Sequence, residues 1–210
     1  MSALHPHWQR LIEWLAAQGM QTDKIRVVAR TAPGAGYGLF ALENLGPSTP
    51  LFTVPAHTLL NHLTLSPHYP AARPKLSCTQ LVSLHLSLHR PLGEVSDDPL
   101  FGPYISVLPR DFDWHPFTWL WKTKTQRHDA PLETRLCESL PPRIVEKLDR
   151  TCALFKKDWR VIQKYLESHP AICPVQTGLR VDDFLWGWLN GLWLMFLVYK
   201  LALNVKLQEQ

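Results

Sequence analysis

An α+β fold follows from three features of this 210-residue chain. Residues 24–55 carry short β-branched and aromatic runs broken by Gly and Pro, the pattern of strands joined by tight turns. From Leu76 onward the apolar positions recur by threes and fours, the pattern of helices buried on one face. Between the strand-like runs lies Pro33-Gly34-Ala35-Gly36-Tyr37-Gly38-Leu39-Phe40-Ala41, with glycines at alternate positions. Such a loop can take positive φ and lets a ligand approach the backbone closely. A phosphate-binding glycine loop would open a helix, and no helical pattern follows Gly38. The predicted architecture is a set of short N-terminal strands followed by a mostly helical remainder.

The elements are justified in order. Pro6 can start a helix whose Trp8, Leu11, Ile12 and Leu15 share a face, and Gly19 is a stop signal. Ile25-Arg26-Val27-Val28 reads as a strand leading into the glycine loop, Leu39-Phe40-Ala41 as the next, and Leu51 to Pro55 as a third. Ser77 can cap a helix running to Arg90, with Leu81, Leu84 and Leu88 on one stripe. Tyr104 to Pro109 is a short apolar piece, and Lys122, Lys124, Arg127 and His128 read as a solvated basic loop. The longest helix spans about Arg143 to Leu166, where Ile144, Leu148, Cys152, Phe155, Trp159, Ile162 and Leu166 form the buried stripe. Lys147, Arg150, Lys156, Lys157, Arg160 and Lys164 decorate its other face, read as solvated, with an acidic partner as the alternative. Asp182 or Asp183 can cap a final apolar helix. Four segments result: a helix over 1–22, strands over 23–70, a helical insert over 71–180, and an apolar helix with its tail over 181–210.

Composition narrows the functional classes. A net charge of +4 with ten histidines is too mild for a nucleic-acid footprint, so no nucleic-acid partner is expected. Cys78, Cys137, Cys152 and Cys173 are widely spaced without a CxxC pair. That argues against a zinc site or disulfide framework and places the chain in a reducing compartment, cytoplasmic or nuclear. His85 and His89 stand four apart on a helix as metal ligands can, but no Glu follows His85. They are read as surface or boundary histidines, and no metal is expected. The run Phe184–Leu203 is long enough to span a bilayer. Asn190 and Lys200 interrupt it, so a soluble helix is the reading and a membrane tail the alternative.

Gly36-Tyr37-Gly38-Leu39-Phe40-Ala41 followed by Leu51-Phe52-Thr53-Val54-Pro55 resembles the opening of a SET domain. Leu76 to Leu81, then Asp98-Pro99-Leu100-Phe101-Gly102-Pro103-Tyr104-Ile105-Ser106-Val107-Leu108-Pro109 and Phe112, His115-Pro116 and Trp119, is similar to the helical insert of the Rubisco-methyltransferase-like branch. Phe155, Asp158-Trp159 and Phe184 to Trp188 resemble its later helices. The resemblance implies an S-adenosylmethionine-dependent protein-lysine methyltransferase acting on a protein substrate, ribosomal or translation-related among the possibilities. It places the cofactor against Gly36, Tyr37 and Gly38. The family's Asn-His motif and its later tyrosine find no match after Leu189, so no catalytic residue is assigned. Asn61-His62 precedes the insert and is read as a coincidence, and Tyr199 has no motif around it. The expectation is a truncated member with a divergent tail from about Asn190, holding half a cofactor site and little or no activity. The competing reading is a non-catalytic interaction module built on the helical insert.

Overall fold

The computed structural model describes residues 4–32, 36–71, 73, 75–125, 130–173 and 178–192. They fall into two compact units, one from 1–67 with 89–108, the other from 68–88 with 109–210.

In the first unit, α1 (Trp8–Ala17) buries Leu11 and Leu15. Against them pack Met20, Trp8, Ile12, Trp14, Ile25, Val54, Tyr104 and Val107. The helix stops at Gly19, whose φ of 94° suits glycine. Gly19 N–H donates to Ala16 O and Met20 N–H to Leu15 O, both at 2.9 Å, so the last carbonyls are satisfied by a Schellman arrangement. Strands β1 (Val27–Ala32) and β2 (Gly36–Ala41) form an antiparallel pair, Val27 opposite Ala41 and Ala32 opposite Gly36. The first strand thus begins two residues later than Ile25 and continues to Ala32. Leu51 to Pro55, expected as a strand, forms no ladder among the described residues; Arg26 N–H donates to Leu51 O and Thr58 N–H to Pro55 O, both at 3.0 Å. Pro50 and Pro55 at its ends have no N–H to donate, which limits the pairing.

Two short helices complete this unit. Asn61 caps α2 (His62–Leu65) in a capping box, its Oδ1 accepting from Leu63 N–H and Thr64 N–H while Thr64 Oγ1 accepts from Asn61 N–H. The apolar piece at Tyr104 is helical: α4 (Gly102–Ile105) carries Pro103 in its first turn. Asp98 Oδ2 accepts from Phe101 N–H at 2.7 Å and fixes the entry to that turn.

In the second unit, α3 (Cys78–Leu88) starts at a capping box in which Ser77 Oγ accepts from Gln80 N–H and Gln80 Oε1 accepts from Ser77 N–H. It ends two residues short of Arg90. Helix α5 (Pro116–Thr125) packs on α6 (Pro131–Glu138) and on α7 (Pro142–Ser168). The expected basic loop is instead the end of α5. Lys122 reaches Asp113 at 2.9 Å and Glu133 at 3.5 Å, and Lys124 reaches Asp149 at 2.5 Å, so these charges are paired. Arg127 and His128 lie outside the described residues.

Helix α7 follows its predicted stripe where it meets other helices, with Cys152, Phe155 and Ile162 buried, while Ile144 near its start is 38% exposed. The final helix, α8, covers 181–192, and residues 184–191 are buried on every side. It is entered through Arg180, whose carbonyl accepts from Phe184 N–H, so Asp182 and Asp183 sit in its first turn rather than at its cap. Among the described residues no helix is long and apolar enough to cross a membrane, and the end of Phe184–Leu203 lies outside them.

The core of this unit is a ring cluster with Phe155 at its centre, 5.8 Å from Phe117, 4.9 Å from Trp121, 5.7 Å from Phe184 and 5.2 Å from Trp188. Beside it the buried Asp158 carboxylate accepts from Gln80 Nε2 at 2.8 Å and from Trp188 Nε1 at 3.0 Å. One carboxylate therefore ties α3, α7 and α8 together. At Gly187 the α8 backbone comes so close to α3 that an added Cβ would stand 2.2 Å from Ser87 Oγ and 2.5 Å from Ser83 O.

Two outcomes test this packing in urea denaturation. Gly187→Ala is expected to cost about 1–3 kcal/mol, because the clash includes backbone that cannot move aside, whereas Gly93→Ala, with nothing within 4 Å, is expected to change little. Asp158→Ala strands one buried donor, on Trp188, and one half-buried donor, on Gln80, and is expected to cost about 2–5 kcal/mol, more than Asp158→Asn, which keeps one acceptor.

Candidate functional site

The sequence singled out Gly36, Tyr37 and Gly38, and the structure places all three at the start of β2. Pro33, Gly34 and Ala35, which complete the glycine stretch, lie outside the described residues. Pairing sets Gly36 opposite Ala32, Tyr37 opposite Thr31 and Gly38 opposite Arg30. Directly opposed residues share a face, and the face alternates along a strand. Gly36, Gly38 and Phe40 therefore lie with Val28, Arg30 and Ala32, while Tyr37 and Leu39 lie on the other side.

Each glycine has a distinct reason to be glycine. Gly36 has φ 74°, and a Cβ built there would meet nothing within 4 Å. Its requirement is conformational, and the space beside it is open. Gly38 has ordinary dihedrals, and a Cβ there would only touch the Phe40 ring at 3.7 Å. The two make a stretch of bare backbone that a ligand can approach without a side chain intervening. Tyr37 is 52% exposed, its ring edge-on to His5 at 4.3 Å between centroids.

Sequence reasoning missed Arg30. It stands across from Gly38, its guanidinium 5.8 Å from the centre of the Phe40 ring. Its Nε is buried without a hydrogen-bond partner among the described residues. A half-buried cation with an unused donor, beside two glycines on the same face, can receive an anionic group. The signal was the β-strand period: counting back from the glycines across a three-residue connection puts Arg30 on their face.

The other residues that drew notice resolve into structure. Asn61-His62 belongs to the cap of α2, which accounts for the asparagine without chemistry. His85 corrects the expectation of a surface or boundary histidine. It is 1% exposed, with Nδ1 2.8 Å from the Tyr69 hydroxyl, a partner that lets an imidazole sit in a core. His89 is partly exposed and lies 3.6 Å from Asp98. Cys152 is buried among apolar neighbours, as its place on the stripe implied, and none of the four cysteines forms a disulfide. Tyr199 lies outside the described residues. The glycine hairpin is separate from the cleft of about 610 Å³ in the same unit, which is lined by residues of 19–26 and 50–55.

No family model matches the chain, and no curated protein sequence matches it. Solved structures do. The structure of Rubisco LSMT bound to AdoMet matches with a TM-score of 0.66 at 21% identity, over 88% of this chain and 39% of that one. Rubisco LSMT bound to sinefungin and monomethyllysine matches with a TM-score of 0.63 at 20% identity, over 88% and 40%. The SET domain of LSMT bound to lysine and AdoHcy matches with a TM-score of 0.62 at 19% identity, over 87% and 37%. The chain is an α+β protein with a SET-domain lysine-methyltransferase-like fold in part, and it spans about two-fifths of the length of these structures.

The segment Phe112, His115-Pro116 and Trp119, which carried part of the sequence resemblance, is held by local bonds. His115 Nδ1 accepts from Phe117 N–H at 3.1 Å, and Trp119 Nε1 donates to Asp113 O at 2.6 Å. Burial lowers the His115 pKa from its ordinary 6.5, and the neutral ring is the form that can accept from Phe117. A depressed folded value means that the unfolded chain binds the proton first. The His115 contribution to stability is thus complete above the unfolded value and is lost as pH falls through the folded one. Urea midpoints are expected to drop as pH falls below the ordinary imidazole value of 6.5, with a shallower drop in His115→Asn, whose side-chain oxygen accepts without titrating. Equal slopes in the two proteins would refute this role.

Proposed function

We propose that this chain takes part in S-adenosylmethionine-dependent methyl transfer to a lysine of a protein substrate. The observation that carries the reading is the fold likeness over 88% of the chain to a lysine-methyltransferase structure bound to AdoMet. The solved structures named above are methyltransferase structures, so the interaction-module reading is not favoured. The residues present suit the methyl donor along one wall. Gly36 and Gly38 give bare backbone for a bulky ligand, Tyr37 adds an exposed aromatic ring, and Arg30 would hold the donor's carboxylate. The donor, once bound, supplies an activated methyl on a sulfonium. What this wall does is orient that ligand and exclude water from one side of it.

Two narrower readings belong to the same proposal. The sequence resemblance suggests a ribosomal or translation-related target, and the four unpaired cysteines suit the cytoplasm or nucleus. One wall holds a ligand less tightly than a closed pocket, so affinity should be modest.

Hydrogen exchange with and without saturating S-adenosylmethionine tests the assignment on the 210-residue chain. Slowed exchange is expected over the peptide containing Gly36, Tyr37 and Gly38. Arg30→Gln and Gly36→Val are each expected to weaken binding about tenfold, the size of one lost charge-assisted hydrogen bond or more. Protection confined to other segments, or binding unchanged in both variants, would sink it. A radiolabelled methyl assay on lysate is expected to show little transfer by the purified chain, and robust turnover would refute the one-wall description.

A further inference from the structure

A cleft of the first unit lies away from the glycine hairpin. It has a volume of about 610 Å³ and opens to solvent between the residues that follow α1 and the segment 50–55. One side carries Gly19, Gln21, Lys24 and Arg26, and the other Pro50, Phe52, Thr53, Val54 and Pro55. The volume falls within the range of ordinary ligand sites.

Three independent features bear on what it takes. The first is charge. Lys24 and Arg26 are its only ionised lining residues, and no acid lines it. Arg26 reaches out to Glu43 at 2.9 Å with both side chains about half exposed, so that pair is weak and exchangeable. The Lys24 ammonium has no hydrogen bond or ion pair among the described residues.

The second feature is main chain. Arg26 N–H donates to Leu51 O, and beyond that bond the two segments part to form the cleft. No backbone hydrogen bond is formed by Phe52, Thr53 or Val54 with any described residue, and no helix or turn takes up the segment. An extended strand with unused N–H and C=O groups is a template for another strand. The third feature is side-chain alternation. Phe52 and Val54 are partly buried while Thr53 faces out, so the segment has a set inner face and would present a constant edge to a ligand.

We propose that this cleft binds an extended acidic peptide segment of a partner protein. The peptide adds as a strand along Phe52, Thr53 and Val54 and sets a carboxylate between Lys24 and Arg26. Backbone bonds supply sequence-independent affinity and the two cations supply the preference for acid, the division of labour usual in strand addition. A free small anion would use the cations and leave the unpaired backbone unanswered, so a peptide accounts for more of the site. The inference is independent of the methyl-transfer reading, since it uses none of Gly36, Tyr37, Gly38 or Arg30.

The test uses an N-terminally fluorescein-labelled Glu-Val-Thr-Glu-Val-Thr-amide peptide and its Gln-for-Glu counterpart, titrated with the 210-residue chain. Anisotropy is expected to show saturable binding of the acidic peptide, about tenfold tighter than that of the glutamine peptide. Lys24→Gln should weaken the acidic peptide about tenfold and leave the glutamine peptide unchanged, while Lys164→Gln on α7 should change neither. Hydrogen exchange supplies a readout free of mutation: the peptide should slow exchange at residues 52–54. Three results would overturn the proposal. They are equal binding of the two peptides, protection that misses residues 52–54, and displacement of the acidic peptide by inorganic phosphate at concentrations near its own, which would mark a simple anion site.

Discussion

The second unit depends on one buried carboxylate. Asp158 has no cation beside it among the described residues and is stabilised by two neutral donors, Gln80 from α3 and Trp188 from α8. A buried charge without its hydrogen bonds costs several kcal/mol, so both donors must be in place whenever the unit is folded. That requirement fixes the rotation of α8 about its axis, because Trp188 must point its Nε1 at α7. Gly187, one residue earlier, is then turned toward Ser83 and Ser87 of α3, where only a hydrogen atom fits. The ring cluster around Phe155 closes over the same point. Packing of this kind is cooperative: the contacts of Asp158, Gly187 and Phe155 support one another, so loss of one weakens the rest.

The first unit is built differently. Its cluster rests on Leu11, Leu15 and Met20, and its order comes largely from local devices: the Schellman turn at Gly19, the capping box at Asn61 and the Asp98 bond into α4. The hairpin and the 50–55 segment leave Tyr37, Leu39 and Leu51 substantially exposed. Surfaces that accept ligands come from lightly packed parts of proteins, since a closed core has no backbone to offer. The glycine wall and the cationic cleft both lie in this unit and share no residue.

What the sequence disclosed depended on the length of each pattern. Helix α7 runs for 27 residues, and α3 begins with a strong cap, so period and cap together located both. Helix α6 has eight residues and no buried position, too short for a period to show. Lys122 and Lys124 looked like a solvated loop because their partners, Asp113, Glu133 and Asp149, belong to other segments of the chain. His85 looked like a surface histidine because Tyr69, 16 residues earlier, is invisible to any local pattern. In each case the decisive group is brought in by tertiary structure.

The candidate site shows the same limit at its sharpest. Gly36, Tyr37 and Gly38 were legible because glycine announces its own backbone freedom. Arg30 announces nothing, and its relevance depends on register. In the observed pairing it lies across from Gly38 and shares a face with both glycines and Phe40. A slip of one residue would carry it to the side of Tyr37 and Leu39, away from the bare backbone. What prevents the slip is burial on the opposite face, where Val27 and Ala29 are sunk in the unit at 3% and 7% exposure. Two small apolar residues in the core thus decide which side of the hairpin carries the cation, and through it what chemical group the glycine wall can receive.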